Sequence, residues 1–275
     1  MDANEEFMAN PIDFLVNNSV INYRPESHMW GKLDEMDDKK RLAALNLVGL
    51  DDGDGKIRFD LAKIVDNKYV WRRVLNFKQY MKQMVGIGFL PNPPDHPIEG
   101  NYFPYNSGGV ADIADMGQIE IDSTALPVFS FTGVMNGCAF VVTDANPHAA
   151  NKYMLYHYQS PDSNPLHSPT GPRNFPNTMR CYVPVADYLP ARWAKRYTAG
   201  AMPTTIIFSW RNPRTGDLRV VARTIAEKPG TFSAPNDGSR LVQSWLVQRN
   251  ASVGAAIRPY TYLDHQVHLS PISLT

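Results

Sequence analysis

The residues of this chain best able to do covalent chemistry are a cysteine and a histidine that fall in neighbouring apolar runs, Cys138 and His157. Both lie in the stretch Ala125–Pro161, where a turn-rich loop joins the two runs. A hairpin centred on that loop, at Pro147 and His148, sets residues whose numbers sum to 295 opposite each other, and Cys138 and His157 form such a pair. Directly opposed Cβ atoms on one sheet face lie roughly 4.5–5.5 Å apart, close enough for a thiol and an imidazole to share a proton. A thiol is a weak nucleophile until a partner takes its proton, so this pairing predicts a nucleophilic cysteine with His157 as its base.

The neighbours fit that chemistry. Gly137 allows close backbone approach just before the thiol, and N–H groups around Asn136, Gly137 and Cys138 are candidate donors to an oxyanion. Tyr156 and Tyr158 flank the histidine and would shield the pair from bulk water. Thr132, six residues before the cysteine, is a candidate for orienting His157 or for bonding a substrate amide. Without a nucleophilic role, Cys138 is a buried apolar-run cysteine, His157 a core histidine, Thr132 a strand residue and Asn136-Gly137 a turn. Cys181 has no comparable histidine nearby and reads as structural.

The stretch Met135-Asn136-Gly137-Cys138, followed by an apolar strand and then Tyr156-His157-Tyr158 and Pro161, resembles the catalytic core of the glutamine-deamidating bacterial toxins. These are the cytotoxic necrotizing factors and the Burkholderia lethal factor, in which Leu-Ser-Gly-Cys carries the nucleophile and an aromatic-flanked histidine follows. Here Asn136 stands in place of the serine, and the loop between cysteine and histidine is longer. Phe129-Ser130-Phe131-Thr132 is similar to the aromatic run and threonine that precede the lethal factor's cysteine.

The resemblance implies a protein-glutamine deamidase with Cys138, His157 and Thr132 at the centre and no cofactor or metal. A transglutamination side activity is possible where an amine captures the thioester. It implies a host protein as substrate: a Rho-family GTPase by likeness to the necrotizing factors, a translation-initiation helicase by likeness to the lethal factor. A protease or acyltransferase would use the same dyad, and a non-catalytic interaction or structural protein would use Cys138 as core.

Lys+Arg and Asp+Glu both total 27 in 275 residues, a balance that argues against nucleic acid as the main partner. No apolar run approaches the ~18 residues that span a bilayer, and the acidic start MDANEEFMANPIDF is not a Sec signal. A toxin reading therefore predicts export or injection by a route without such a signal, and action in host cytoplasm.

The elements that must position these residues divide at Pro91-Asn92-Pro93-Pro94-Asp95-His96-Pro97, which neither helix nor central strand can cross. We expect an α+β chain: a mostly helical region over 1–90, a proline-rich linker over 91–104 and a catalytic domain over 105–275. The domain should be built of packed mixed β-sheets with peripheral helices. Apolar spacing predicts helices over Lys32–Val48 and Val70–Val85. The acidic turn Asp51–Gly55 lacks the first and last ligands of a calcium loop and reads as solvated. Strands are expected at Ile119–Ile121, Val128–Thr132, Cys138–Thr143, Tyr153–Tyr158, Arg180–Val183, Thr204–Trp210, Leu218–Thr224 and Leu241–Val247. Asn212–Asp217 should be a hairpin turn, and Pro190–Tyr197 a short helix. His265 and His268 are a weak metal motif with no further spaced ligand.

Overall fold

The computed structural model describes residues 2–22, 56–65, 68–73, 96–103, 113–125, 128–133, 135, 137–148, 151–159, 175–189, 202–227, 240–247 and 260–265. Their architecture is mixed α and β, with few helices and two sheets. The chain forms two compact units, Met1–Tyr102 and Phe103–Thr275.

In the first unit α1 (Ala3–Ala9) and α2 (Pro11–Asn17) are each started by their own sequence. Asp2 accepts from the Glu5 amide at 2.8 Å while the Glu5 carboxylate accepts from the Asp2 amide at 2.9 Å, a reciprocal cap. Asn10 accepts from the Asp13 amide at 3.3 Å, with Pro11 at the first helical position, where it has no N–H to waste. Beyond them run β1 (Ser19–Asn22), β2 (Lys56–Val65), β3 (Lys68–Arg73) and β4 (Ile98–Phe103). β1 is parallel to β3, and β2 pairs antiparallel with both β3 and β4. Buried Asn4 ties helix to strand, accepting from the Leu61 amide at 2.8 Å and donating to the His96 carbonyl at 3.0 Å.

This unit corrects part of the sequence reading. Val70–Arg73, placed at the head of a helix, belong to β3, because Val65 pairs with Lys68 and the tight return supplies a strand partner. The remainder of that predicted helix, Lys32–Val48, and Asp51–Gly55 lie outside the described residues. Ile98–Phe103, inside the expected linker, form β4, which starts directly after Pro97. Pro91–Asp95 lie outside the described residues.

In the second unit each of the eight apolar runs becomes a strand. These are β5 (Gly117–Asp122), β6 (Phe129–Thr132), β7 (Ala139–Asp144), β8 (Lys152–Tyr158), β9 (Met179–Val183), β10 (Met202–Arg211), β11 (Leu218–Glu227) and β12 (Arg240–Leu246). A single turn of helix, α3 (Val185–Tyr188), follows β9, and β13 (Tyr260–His265) closes the set. Pro190–Tyr197 lie outside the described residues.

One antiparallel sheet runs β5-β8-β7-β9, and the other contains the order β6-β10-β11-β12-β13. Phe140, Val142, Leu155 and Val183 from the first face Ile207, Val220, Ala222 and Trp245 from the second in one continuous core. The opposite phase of β7 and β8, Ala139, Val141, Tyr156 and Tyr158, packs beneath Phe175 on the other side of the four-stranded sheet. That sheet is thus apolar on both faces, which is why β7 reads as an unbroken hydrophobic run. The Asn212–Asp217 turn closes β10 onto β11 with Gly216 at φ +74, a conformation open to glycine.

Candidate active site

β7 and β8 pair with Ala139 opposite Tyr158 and Phe140 opposite His157. Paired numbers therefore sum to 297, two residues away from the hairpin register expected. The cause is the turn: the ladder runs out to Asp144 and Tyr153, the Ala145 amide donates to the Lys152 carbonyl at 3.0 Å, and the His148 amide donates to Asn146 Oδ1 at 2.9 Å. Ala145 and Lys152 close the hairpin, so the loop between them is 146–151, and its midpoint falls one residue later than the expected one between Pro147 and His148.

A one-residue slip would have sent the two side chains to opposite faces; a two-residue slip does not. Cys138 stands one residue ahead of β7, in phase with Phe140 and Val142 and within their core cluster. His157 is in phase with Leu155 and Tyr153 on the same face of β8. The two are diagonal neighbours across the strand pair rather than direct opposites.

Thr132 is the last residue of β6 and so belongs to the facing sheet. Its Oγ1 lies 2.7 Å from His157 Nδ1, with both residues buried. This hydrogen bond crosses from one sheet to the other and fixes the plane of the imidazole. Burial pulls the His157 pKa down to about 4, so the ring is neutral at pH 7. With Nδ1 engaged by Thr132, Nε2 is the ring nitrogen left to meet a thiol, and it makes no hydrogen bond to Cys138.

The segment carrying Cys138 is pinned at several points. The Met135 amide donates to the Thr205 carbonyl at 2.9 Å, attaching the segment to β10. Tyr188, at the end of α3, donates its hydroxyl to the Cys138 carbonyl at 2.8 Å and accepts from the Gly137 amide at 3.3 Å. Thr224 on β11 donates to the Tyr188 carbonyl at 3.0 Å and lies 2.8 Å from the Thr205 hydroxyl. Gly137 has φ +137 with open space where a Cβ would sit, so glycine is required there by backbone conformation and not by crowding. Gly137 is exposed while Cys138 is 8% exposed, which puts the thiol directly beneath the surface.

Tyr188 sits fifty residues from the cysteine, and nothing local in Val185-Ala186-Asp187-Tyr188 marks it for this role. Tyr188→Phe deletes both bonds and leaves the Cys138 carbonyl and Gly137 amide to find others, so a loss of about 1–3 kcal/mol is expected. A urea midpoint matching the wild type would refute the clamp.

Cys181 on β9 is fully packed against Val142, and burial, with a smaller effect of Asp187, pushes its thiol up to about 12. It is an inert core residue, and neither cysteine is in a disulfide. Asn136 lies outside the described residues, and the Gly137 amide is taken by Tyr188. His265 lies on β13 and His268 outside the described residues; among the described residues no three metal-ligating side chains gather. Among them, too, no helix is long and apolar enough to cross a membrane. No protein-family model matches this chain, and no curated protein matches its sequence.

Proposed function

We propose that this chain is a bacterial toxin or effector that hydrolyses a glutamine side-chain amide on a host protein. The observation that carries the reading is the 2.7 Å bond between Thr132 Oγ1 and His157 Nδ1, which joins two of the three residues assigned by resemblance to the deamidating toxins. Cys138 Sγ attacks the carboxamide carbon as its proton passes to His157 Nε2. The tetrahedral adduct collapses, the imidazolium returns that proton to the departing nitrogen, and ammonia leaves behind a thioester. Water, deprotonated by the same nitrogen, then attacks the thioester and releases glutamate with the thiol restored. No cofactor enters the sequence.

The thiol's place at the edge of the core also favours a second reading, in which Cys138 is simply packing. Native-state alkylation separates the two: a core thiol resists iodoacetamide whatever stands at position 157, while a nucleophile reacts and slows in His157→Ala.

Free glutamine offers little binding energy to position its amide, so a folded protein is the expected substrate. Host cells exposed to wild-type protein, but not to Cys138→Ser, should acquire a Gln-to-Glu peptide in one dominant protein. A Rho-family GTPase and a translation-initiation helicase are the first two to inspect. New chain termini would instead indicate a protease, and an unchanged proteome would indicate a protein without this activity.

A further inference from the structure

Gln159 follows the last residue of β8, two places beyond His157. It is 6% exposed, and its carboxamide Nε2 is buried with no hydrogen-bond partner. A buried donor left in that state is costly, but seven other buried side-chain polar atoms among the described residues share it, so a reason must come from position. Its position supplies one. The β7–β8 ladder ends at Ala139 opposite Tyr158, and one further step of that register brings Gln159 opposite Cys138. Its odd-numbered phase is that of Leu155 and His157, on the face that holds Cys138. Thiol, imidazole and an unspent N–H donor thus share one face at one end of the strand pair.

We propose that Gln159 is a catalytic residue whose carboxamide N–H stabilises the oxyanion formed when Cys138 attacks a carbonyl; this rests on the nucleophilic reading of Cys138. As the S–C bond forms, the carbonyl π pair moves onto oxygen; when the leaving group departs with its bonding pair, the oxygen pair re-forms the C=O bond. Gln159 donates a hydrogen bond throughout and neither gains nor loses a proton. The Gly137 amide is taken up elsewhere, because it is bonded to the Tyr188 hydroxyl. A side chain from the neighbouring strand supplies a donor in its place.

Two reagents on the full chain separate oxyanion stabilisation from other effects. Acylation by p-nitrophenyl acetate passes through a tetrahedral oxyanion, whereas alkylation by iodoacetamide is a direct displacement that forms none. Gln159→Met keeps side-chain bulk without the donor and should slow Cys138 acylation on the order of 10²-fold while changing alkylation by no more than about two-fold. Its melting temperature should not fall, since a donor without a partner has been removed. Gln159→Leu, uncharged and likewise without the donor, should lose acylation in the same selective way and serves if the Met variant does not fold. Parallel loss of both reactions, or a lower melting temperature with both rates intact, would make Gln159 structural and overturn the proposal. Wild-type acylation in Gln159→Met, beside a reactive Cys138, would overturn it alone. A wild-type Cys138 inert to both reagents would remove the nucleophilic reading itself, and this assignment with it.

Discussion

Cys138→Ser is expected to lower hydrolysis of a protein-bound glutamine by at least about 10³-fold while leaving the fold intact. The exchange is nearly isosteric at a position 8% exposed, so packing is barely disturbed. The chemistry is disturbed a great deal. A serine hydroxyl is a far weaker acid than a thiol, and the imidazole proposed as its base is one that burial has already made reluctant to take a proton. His157→Ala should be comparably damaging and should also slow alkylation of Cys138. Thr132→Val is the finer probe, because it keeps shape and removes only the 2.7 Å contact to Nδ1. The ring then loses its fixed orientation, and activity should fall about 10–100-fold, less than for either dyad member. Full activity in Cys138→Ser would displace the site altogether, whereas full activity in Thr132→Val would displace only the orienting role.

Much of the second unit was legible because its strands carry their signal locally. Runs such as Phe129–Thr132 and Ala139–Asp144 are dense in aromatic or β-branched residues and are bounded by glycine, proline or asparagine. Asn212–Asp217 announces its turn by composition alone. The face shared by Cys138 and His157 was also legible, even though the register was displaced, since period-two alternation survives a two-residue shift. The displacement itself comes from the loop 146–151 being centred one residue beyond the midpoint of Pro147 and His148.

What was not legible depends on distant partners. Val70–Arg73 fit a helical spacing in isolation and become β3 only because β2 lies alongside. Ile98–Phe103 follow prolines that seemed to exclude regular structure, yet Pro97 ends where the ladder begins, so no strand hydrogen bond is lost. Tyr188 reaches the cysteine through tertiary folding and has no mark in its own segment. Gln159 did have a mark: it is two residues from His157 and therefore on the same face. Extending the observed register one step past Ala139 and Tyr158 sets it opposite Cys138.

The burial of His157 makes a prediction that does not require the substrate to be known. The folded protein holds this ring at a pKa of about 4, against 6.5 for an ordinary histidine, with desolvation as the cause. Between those values the unfolded chain binds a proton that the folded protein refuses. Acidification therefore favours unfolding, and stability present above about pH 6.5 drains away as the pH falls towards 4. The loss attributable to this one ring is on the order of 3 kcal/mol across the window. His157→Gln keeps a hydrogen-bonding side chain near Thr132 without a titrating ring, and should be less sensitive than wild type to acid between pH 7 and 5. Comparing urea midpoints of the two proteins cancels contributions from carboxylates, including Asp187, whose pKa burial raises. The sign carries mechanistic content. A resting thiolate–imidazolium pair would raise the folded pKa of His157, and the wild type would then gain stability relative to the variant as pH falls. A neutral His157 requires the opposite slope and, under the proposed function, a thiol that gives up its proton only as Cys138 attacks.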